Sequence, residues 1–290
     1  MEHVEGHLAG SGGVELYWQA WLPAQEPRAV VVIAHGAGEH SGRYPHVAER
    51  LVAAGYAAHA LDHRGHGRST GRRALVDRMD RVVADLDAFV SLAGSRHPGR
   101  PLFLLGHSMG GCIALLYALR HQQRLEGLLL SGAVARLDAP AALKVVVRGL
   151  SRVAPALGVV AVDPVLVSRD GAVVRAYRDD PLVFHGKLPA RTVAEMSAAA
   201  DGFPAAVPAL RLPLLVMHGG ADAIVPVAGS RMVHERAGSA DRTLRIYDGL
   251  YHEILNEPEQ AAVLADVTGW LDAHTDGGAA GPGATGSVRR

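Results

Sequence analysis

The stretch Leu102–His121, LFLLGHSMGGCIALLYALRH, joins two segments of different character through a turn of small residues. Leu102 to Leu105 is a short, continuously apolar run, the pattern of a strand covered on both faces. Cys112 to His121 has the length of a helix. Between them Gly106-His107-Ser108-Met109-Gly110 spells G-x-S-x-G, which predicts a sharp strand-to-helix reversal with Ser108 at its apex. Side chains at 106 and 110 would collide with the returning backbone, so glycine is required there. Ser108 then projects from the sheet above a helix N-terminus, where developing negative charge is stabilised. A glycine-rich turn capped by an ordinary serine is the plainer reading; the strand before and the helix after favour a nucleophile.

Outward from this turn the same alternation recurs. Val14 to Trp21 reads as an edge strand, Val30–Ala34 (VVVIA) as a core strand, and Pro45 opens a helix, PHVAERLVAAG, that Gly55 stops. Tyr56 to Leu61 is a further strand running into DHRGHGRS, and Asp80 to about His97 a helix. Downstream, strands are expected at Leu125–Leu130, Leu212–Met217 and Thr243–Tyr247, with a closing helix from Pro258 to about Ala273. Strands alternating with helices imply a mainly parallel sheet with both faces covered. From Ala135 to Arg211 the alternation lapses, and prolines from Pro140 to Pro208 break up pieces such as AALKVVVRGLSRV and PARTVAEMSAAA. A segment this long is an insertion and not a loop, and its natural place is over the carboxyl ends of the strands, where open α/β sheets bind ligands. The chain therefore divides into core (1–134), helical cap (135–211), core (212–274) and a Gly- and Ala-rich tail (275–290) expected to be disordered.

A serine hydroxyl attacks only when a base takes its proton, and the base needs an orienting carboxylate. LLVMHGGADAIVP places Asp222 just beyond a strand, and TLRIYDGLYHEILNE places His252 a few residues after the next one. Asp248 competes with Asp222 but sits on the histidine side, from which reaching back is harder. The order Ser108, Asp222, His252 is that of one serine-hydrolase arrangement and excludes the two other common ones. Two backbone N–H groups are expected to bind the oxyanion: Met109, after the nucleophile, and Ala37, in the small-residue loop HGAGEHSGRY. Glu39 and Arg43 are placed to pair within that loop, although a solvent-exposed role fits the sequence as well. Asp62, Arg64 and Ser69 are expected to pin the DHRGHGRS turn through side-chain bonds to backbone.

Other functions find no support. Lys plus Arg equals Asp plus Glu at 29 each, so no global field favours nucleic acid. The 16 histidines include no HExxH, and His35, His40, His59, His63 and His66 read as hydrogen-bonded structural residues, so no metal is expected. Neither a G-x-G-x-x-G nor a Walker A turn is present, so no cofactor is expected. The single Cys112, one turn into the helix behind Ser108, reads as a buried small hydrophobe within conceivable reach of a thiol reagent. The N-terminus lacks the charged and apolar regions of a secretory signal, and no uncharged apolar stretch reaches the roughly 20 residues of a spanning helix. A soluble protein, cytoplasmic or peripheral to a membrane or cell envelope, is expected.

HGAGEHSGRY (35–44), DHRGHGRSTG (62–71), GHSMGG (106–111), SRDGAVVRAYRDDPLVFHGKLPART (168–192), HGGADAIVP (218–226) and YDGLYHEILNEPE (247–259) together resemble the monoacylglycerol lipase family. The resemblance runs from about Val14 to Leu271. It implies the α/β-hydrolase fold: a doubly covered, mainly parallel eight-stranded sheet with a helical cap insertion. It also implies cleavage of one fatty acyl chain from glycerol without a cofactor, with Ser108 as nucleophile, Asp222 as acid, His252 as base, Ala37 and Met109 as oxyanion donors, and a cap that contacts lipid surfaces. A lysophospholipase or broad carboxylesterase is the alternative within enzymes, with Arg148, Arg152, Arg169 and Arg175 as candidate headgroup cations; a non-catalytic lipid-binding module is the alternative outside them. Abundant Ala, Arg and Gly with scarce Lys resembles a high-GC bacterial chain. Oligomeric state has no signature here.

Overall fold

The computed structural model describes residues 1–276. Five apolar runs, β3 (Val30–Ala34), β4 (Ala57–Leu61), β5 (Leu102–His107), β6 (Gly127–Ser131) and β9 (Leu214–Gly219), are buried over their whole length. With β1 (Glu2–Ala9), β2 (Glu15–Leu22) and β10 (Arg242–Tyr247) they form an eight-stranded sheet in the order β1-β2-β4-β3-β5-β6-β9-β10. All pairings from β4 to β10 are parallel, whereas β1–β2 and β2–β4 are antiparallel.

Strand periodicity sorts these runs into two cores. Val30, Val32, Leu102 and Leu104 point to one face and pack against α2 (Met79–Arg96) and α3 (Met109–His121) through Val82, Leu86, Phe89 and Ile113. Val31, Ile33, Phe103 and Leu105 point to the other and meet α1 (Pro45–Ala53) and α8 (Gln260–Asp276) through Val47, Leu51, Val263, Val267 and Leu271. A sheet covered on both faces buries side chains of both parities, which is why these strands are largely apolar and show no alternation in sequence.

Two elements depart from the sequence reading. Val14–Trp21 was expected at the sheet edge, but β1 lies outside β2 and takes that place. Its residues alternate between exposed and half-buried, so EHVEGHLA carries too little apolar signal to register as a strand. The signal available was Ser11-Gly12-Gly13, where both glycines adopt positive φ (75° and 80°) in a hairpin turn. Helix α7 (Val227–Arg236), between β9 and β10, likewise carries no legible helical signal in the sequence, because Gly229 and its mixed polarity give it little periodicity.

Residues 135–211 hold α4 (Ala141–Val153), β7 (Gly158–Val160), α5 (Gly171–Asp179), β8 (Leu188–Pro189) and α6 (Ala190–Ala206). Strands β7 and β8 pair with each other and not with the main sheet, and α4 packs on α6. Thr192 ties α6 to the core, its Oγ1 donating to Ala74 O at 2.7 Å and accepting from Val76 N at 2.9 Å. At the other end of the chain, α8 reaches Asp276, two residues into the segment expected to be a tail; the rest of that tail, 277–290, lies outside the described residues.

The β1–β2 hairpin is anchored by one buried carboxylate. Asp85 on α2 accepts from Arg64 Nε (2.7 Å) and a second guanidinium nitrogen (2.9 Å), and from Ser11 N (2.7 Å) in the hairpin turn. Replacing Asp85 with Ala leaves Arg64 buried without this partner, and we expect a loss of about 3–5 kcal/mol, measured as a lowered urea midpoint. A loss below about 1 kcal/mol would show that the pair is not holding the hairpin.

Candidate active site

Ser108 joins β5 to α3 at φ 53°, ψ −116°, a left-handed backbone that non-glycine residues rarely adopt. The close approach that forces it is visible at the flanking glycines. A Cβ at Gly106 would stand 2.6 Å from Gly110 O, and one at Gly110 would stand 2.0 Å from Ala34 O. Backbone bonds then fix the turn: Ser108 N donates to Ser131 O, and its carbonyl accepts from Cys112 N and Val134 N.

Asp222 follows β9 and His252 follows β10, two parallel neighbours, so both loops emerge at the same end of the sheet as Ser108. His252 Nε2 lies 2.9 Å from Ser108 Oγ, and His252 Nδ1 lies 2.7 Å from Asp222 Oδ2. Facing a carboxylate, Nδ1 carries the proton, which leaves Nε2 to accept from the serine hydroxyl. The Asp222 side chain is fully buried. Burial alone would raise its pKa, but hydrogen bonds from His218, His252 and Val225 N outweigh this and hold it well below the usual carboxylate range. Asp248 is exposed, and the carboxylate on the histidine is that of Asp222.

Met109 is the first residue of α3, where an N–H has no intrahelical acceptor. The loop carrying Ala37 presses on the serine, for a Cβ at Gly36 would lie 3.2 Å from Ser108 Cβ. Glu39 holds that loop by accepting from Gly36 N (2.6 Å) and Tyr44 OH (2.8 Å). Its other oxygen pairs with Arg43, which makes two 2.7 Å bonds to Glu253, the residue after His252. The alternatives left open for Glu39 and Arg43 thus resolve to a buried pair, extended by Glu253 and by the Tyr177 ring 4.8 Å from the guanidinium. Burial disfavours the Glu253 charge, yet Arg43 overcomes this and brings the carboxyl down to about 2.

The remaining candidates are structural. Asp62 accepts from Ser41 N and Arg68 N, and Ser69 Oγ donates to Asp62 O, so side chains pin the DHRGHGRS turn as expected. Arg64 bonds Asp85 and Ser11 O, tying that turn to the hairpin. The rings of His63 and His66 lie tilted against that of His35 beside the Ala37 loop, with His35 Nδ1 bonding Gly36 O and His35 Nε2 accepting from His63 N. His40 pairs with Asp180 of the cap, and His59 with His97. Among the described residues no group of three or more His, Cys, Asp or Glu side chains is arranged to hold a metal. Cys112 is fully buried and its thiol is pushed up to about 12 by that burial, which removes it from the reach of thiol reagents.

A cavity of about 140 Å³ opens on Ser108 and His252. Its walls are mainly apolar, including Leu137, Val162, Leu188, Met196 and Ile224, and neither Lys nor Arg lines it. Through Leu137, Val160, Val193, Ile224 and Val225 it adjoins a larger cavity of about 380 Å³ between α4 and α6. Two residues that sequence reasoning missed stand out: His218, on the far side of Asp222, and Glu253. HGGAD offered the first as one histidine among 16, and nothing in the chain brings Glu253 near Arg43 before it folds.

A doubly covered eight-stranded sheet with a serine, histidine and aspartate in this contact defines a serine hydrolase of the α/β-hydrolase superfamily. The family model described as "Serine aminopeptidase, S33" matches residues 25–259. The chain is 46% identical over 272 residues to the monoacylglycerol lipase of Mycolicibacterium smegmatis, covering 93% of this chain and 97% of that one. It is 34% identical over 274 residues to human monoglyceride lipase, covering 93% and 90%. The crystal structure of a soluble variant of the Saccharomyces cerevisiae monoglyceride lipase, in complex with a substrate analog, superposes with a TM-score of 0.84 at 26% identity over 93% of this chain and 94% of the yeast one. The chain therefore belongs to the monoacylglycerol lipase-like family within that superfamily. Its relatives span bacteria, fungi and animals, so membership does not narrow the source to bacteria.

Because Glu253 titrates at about 2 in the fold and near 4.3 when exposed, its stabilising contribution is complete above about pH 4.3 and is lost as the pH falls through about 2. Wild type is expected to exceed Glu253→Gln in stability at pH 6, with the gap narrowing steadily below pH 4.3 in denaturant titrations. A gap independent of pH would show that the charge of Glu253 is not what stabilises.

Proposed function

We propose that this protein hydrolyses monoacylglycerols to free fatty acid and glycerol through an acyl-enzyme on Ser108. The observation that carries the reading is the hydrogen-bonded chain Asp222–His252–Ser108 opening into an apolar cavity free of Lys and Arg, which adjoins a second, larger one. A single acyl chain gains about 0.8 kcal/mol per methylene buried against such walls. The lining nearest the serine holds no Lys or Arg, whereas Lys144 and Arg148 line the adjoining larger cavity. A leaving group seated beside Ser108 therefore meets no cation, which favours a neutral alcohol over a phospholipid headgroup there. The names of the bacterial, human and yeast relatives point the same way.

In this mechanism Ser108 Oγ attacks the ester carbonyl as its proton passes to His252 Nε2, and Asp222 stabilises the imidazolium. The N–H groups of Ala37 and Met109 receive the oxyanion. His252 then protonates the leaving glycerol oxygen, and a water activated by the same nitrogen releases the fatty acid. No metal or cofactor takes part in this scheme. Residues 135–211 act as the cap, whose α4 and following turn expose Leu143, Val145, Val146, Val153 and Leu157. These favour peripheral contact with a lipid surface, and among the described residues no helix is long and apolar enough to cross a membrane. The composition and the mycobacterial relative support a bacterial source.

The test is a hydrolysis panel of mono-, di- and triacylglycerols, lysophosphatidylcholine, a short nitrophenyl ester and an aminoacyl amide. Monoacylglycerols are expected to turn over fastest, and Ser108→Ala to lower kcat on the order of 10⁴-fold or more. Preferred turnover of lysophosphatidylcholine, the short ester or the amide would replace the glyceride assignment. Retention of activity by Ser108→Ala would remove the nucleophile.

A further inference from the structure

Asp222 Oδ2 lies between two imidazoles. His252 Nδ1 approaches from one side at 2.7 Å and His218 Nε2 from the other at 3.0 Å, with the side chains of His218 and Asp222 fully buried. His218 sits on β9, four residues before Asp222, and its Nε2 also lies 3.1 Å from Val225 O. A nitrogen facing two acceptors must carry the proton. His218 is therefore the Nε2–H tautomer, and its bare Nδ1 accepts from Ser230 Oγ at 2.7 Å on α7.

The carboxylate is thereby saturated. Oδ1 accepts from Ile224 N (2.8 Å) and Val225 N (2.9 Å), while Oδ2 accepts from the two histidines. A carboxylate offers about four lone-pair sites, so His252 competes for Asp222 with three other donors. We propose that His218 is a positioning residue for Asp222, its proton locked by Ser230 and Val225 O so that the carboxylate is fixed and its pull on His252 is restrained. This rests on the catalytic reading given above. Restraint has a consequence: the less negative charge Asp222 directs at His252, the lower the pH at which Nε2 is bare and able to accept the serine proton.

The groups facing His252 are Asp222, Ser108, the His107 ring at 4.8 Å and the neighbouring Glu253 with its Arg43. His107 is brought down to about 4, by burial first and by His252 second, so it stays neutral across the working range. The groups facing His218 are Asp222 and Ser230.

The experiment measures kcat/KM against pH for wild type, His218→Leu and His218→Gln, and records the histidine nitrogen–proton correlation spectrum of the wild type. A glutamine amide can donate as Nε2 does, whereas leucine cannot. In His218→Leu the acid limb is expected to move up on the order of half a pH unit, and in His218→Gln it is expected to stay near wild type. An unshifted limb in folded His218→Leu, or an equal shift in both variants, overturns the proposal. If His218→Leu fails to fold, the wild-type spectrum decides: Nε2–H at His218 upholds the proposal, and Nδ1–H or a doubly protonated ring overturns it. The spectrum needs no turnover, so failure of the serine mechanism, seen as activity in Ser108→Ala, is distinguishable from failure of the His218 assignment.

Discussion

The backbone of Ser108 is held in a conformation that costs on the order of 1–3 kcal/mol, and much of the molecule is arranged so that this conformation is the only one available. Gly106 and Gly110 let the strand and the helix approach to distances that a methyl group would forbid. The carbonyl of Ser108 is held by Cys112 N at the start of α3 and by Val134 N beyond β6, while its amide is held by Ser131 O. The turn is thus bonded to the strand beside it as well as to the helix after it, and it cannot relax without breaking the centre of the sheet. A side chain so fixed meets its partner at hydrogen-bond distance with little further loss of freedom.

The loops that meet Ser108 are rigid for a different reason. They are irregular segments at the end of the sheet, and side-chain charges replace the ladder bonds that secondary structure would supply. Glu39, Arg43 and Glu253 run from the Ala37 loop to the His252 loop through four bonds of 2.6–2.8 Å. Charges this deeply buried are tolerable only when each is paired. The cap joins the same construction, since Phe184 N donates to Gly38 O, Glu253 N donates to Val167 O, and His40 meets Asp180. The cap is therefore bonded directly to both the Ala37 loop and the histidine loop.

An apolar cap over a polar triad sets two dielectric environments side by side. Asp222 and His252 are removed from water and interact strongly, while the cavity beyond them offers hydrocarbon-like walls. The exposed apolar side chains of α4 continue that character to the surface.

The sequence by itself determined the strand-to-helix turn at Ser108, the buried strands and the chain order of Ser108, Asp222 and His252. These depend on local rules: glycine where a Cβ cannot fit, apolar runs where both faces of a strand are covered, and a fixed position after each strand. The polar strand β1 was illegible because its stability comes from pairing with β2 and not from its own pattern. Glu253 and His218 were illegible for a deeper reason. A carboxylate 210 positions from Arg43 in the chain, or a second imidazole on a carboxylate already assigned, acquires meaning only from distance, and distance between loops on different strands is fixed by the packed sheet. The tertiary structure alone decided which charges are buried together, and burial is what gives those charges their strength.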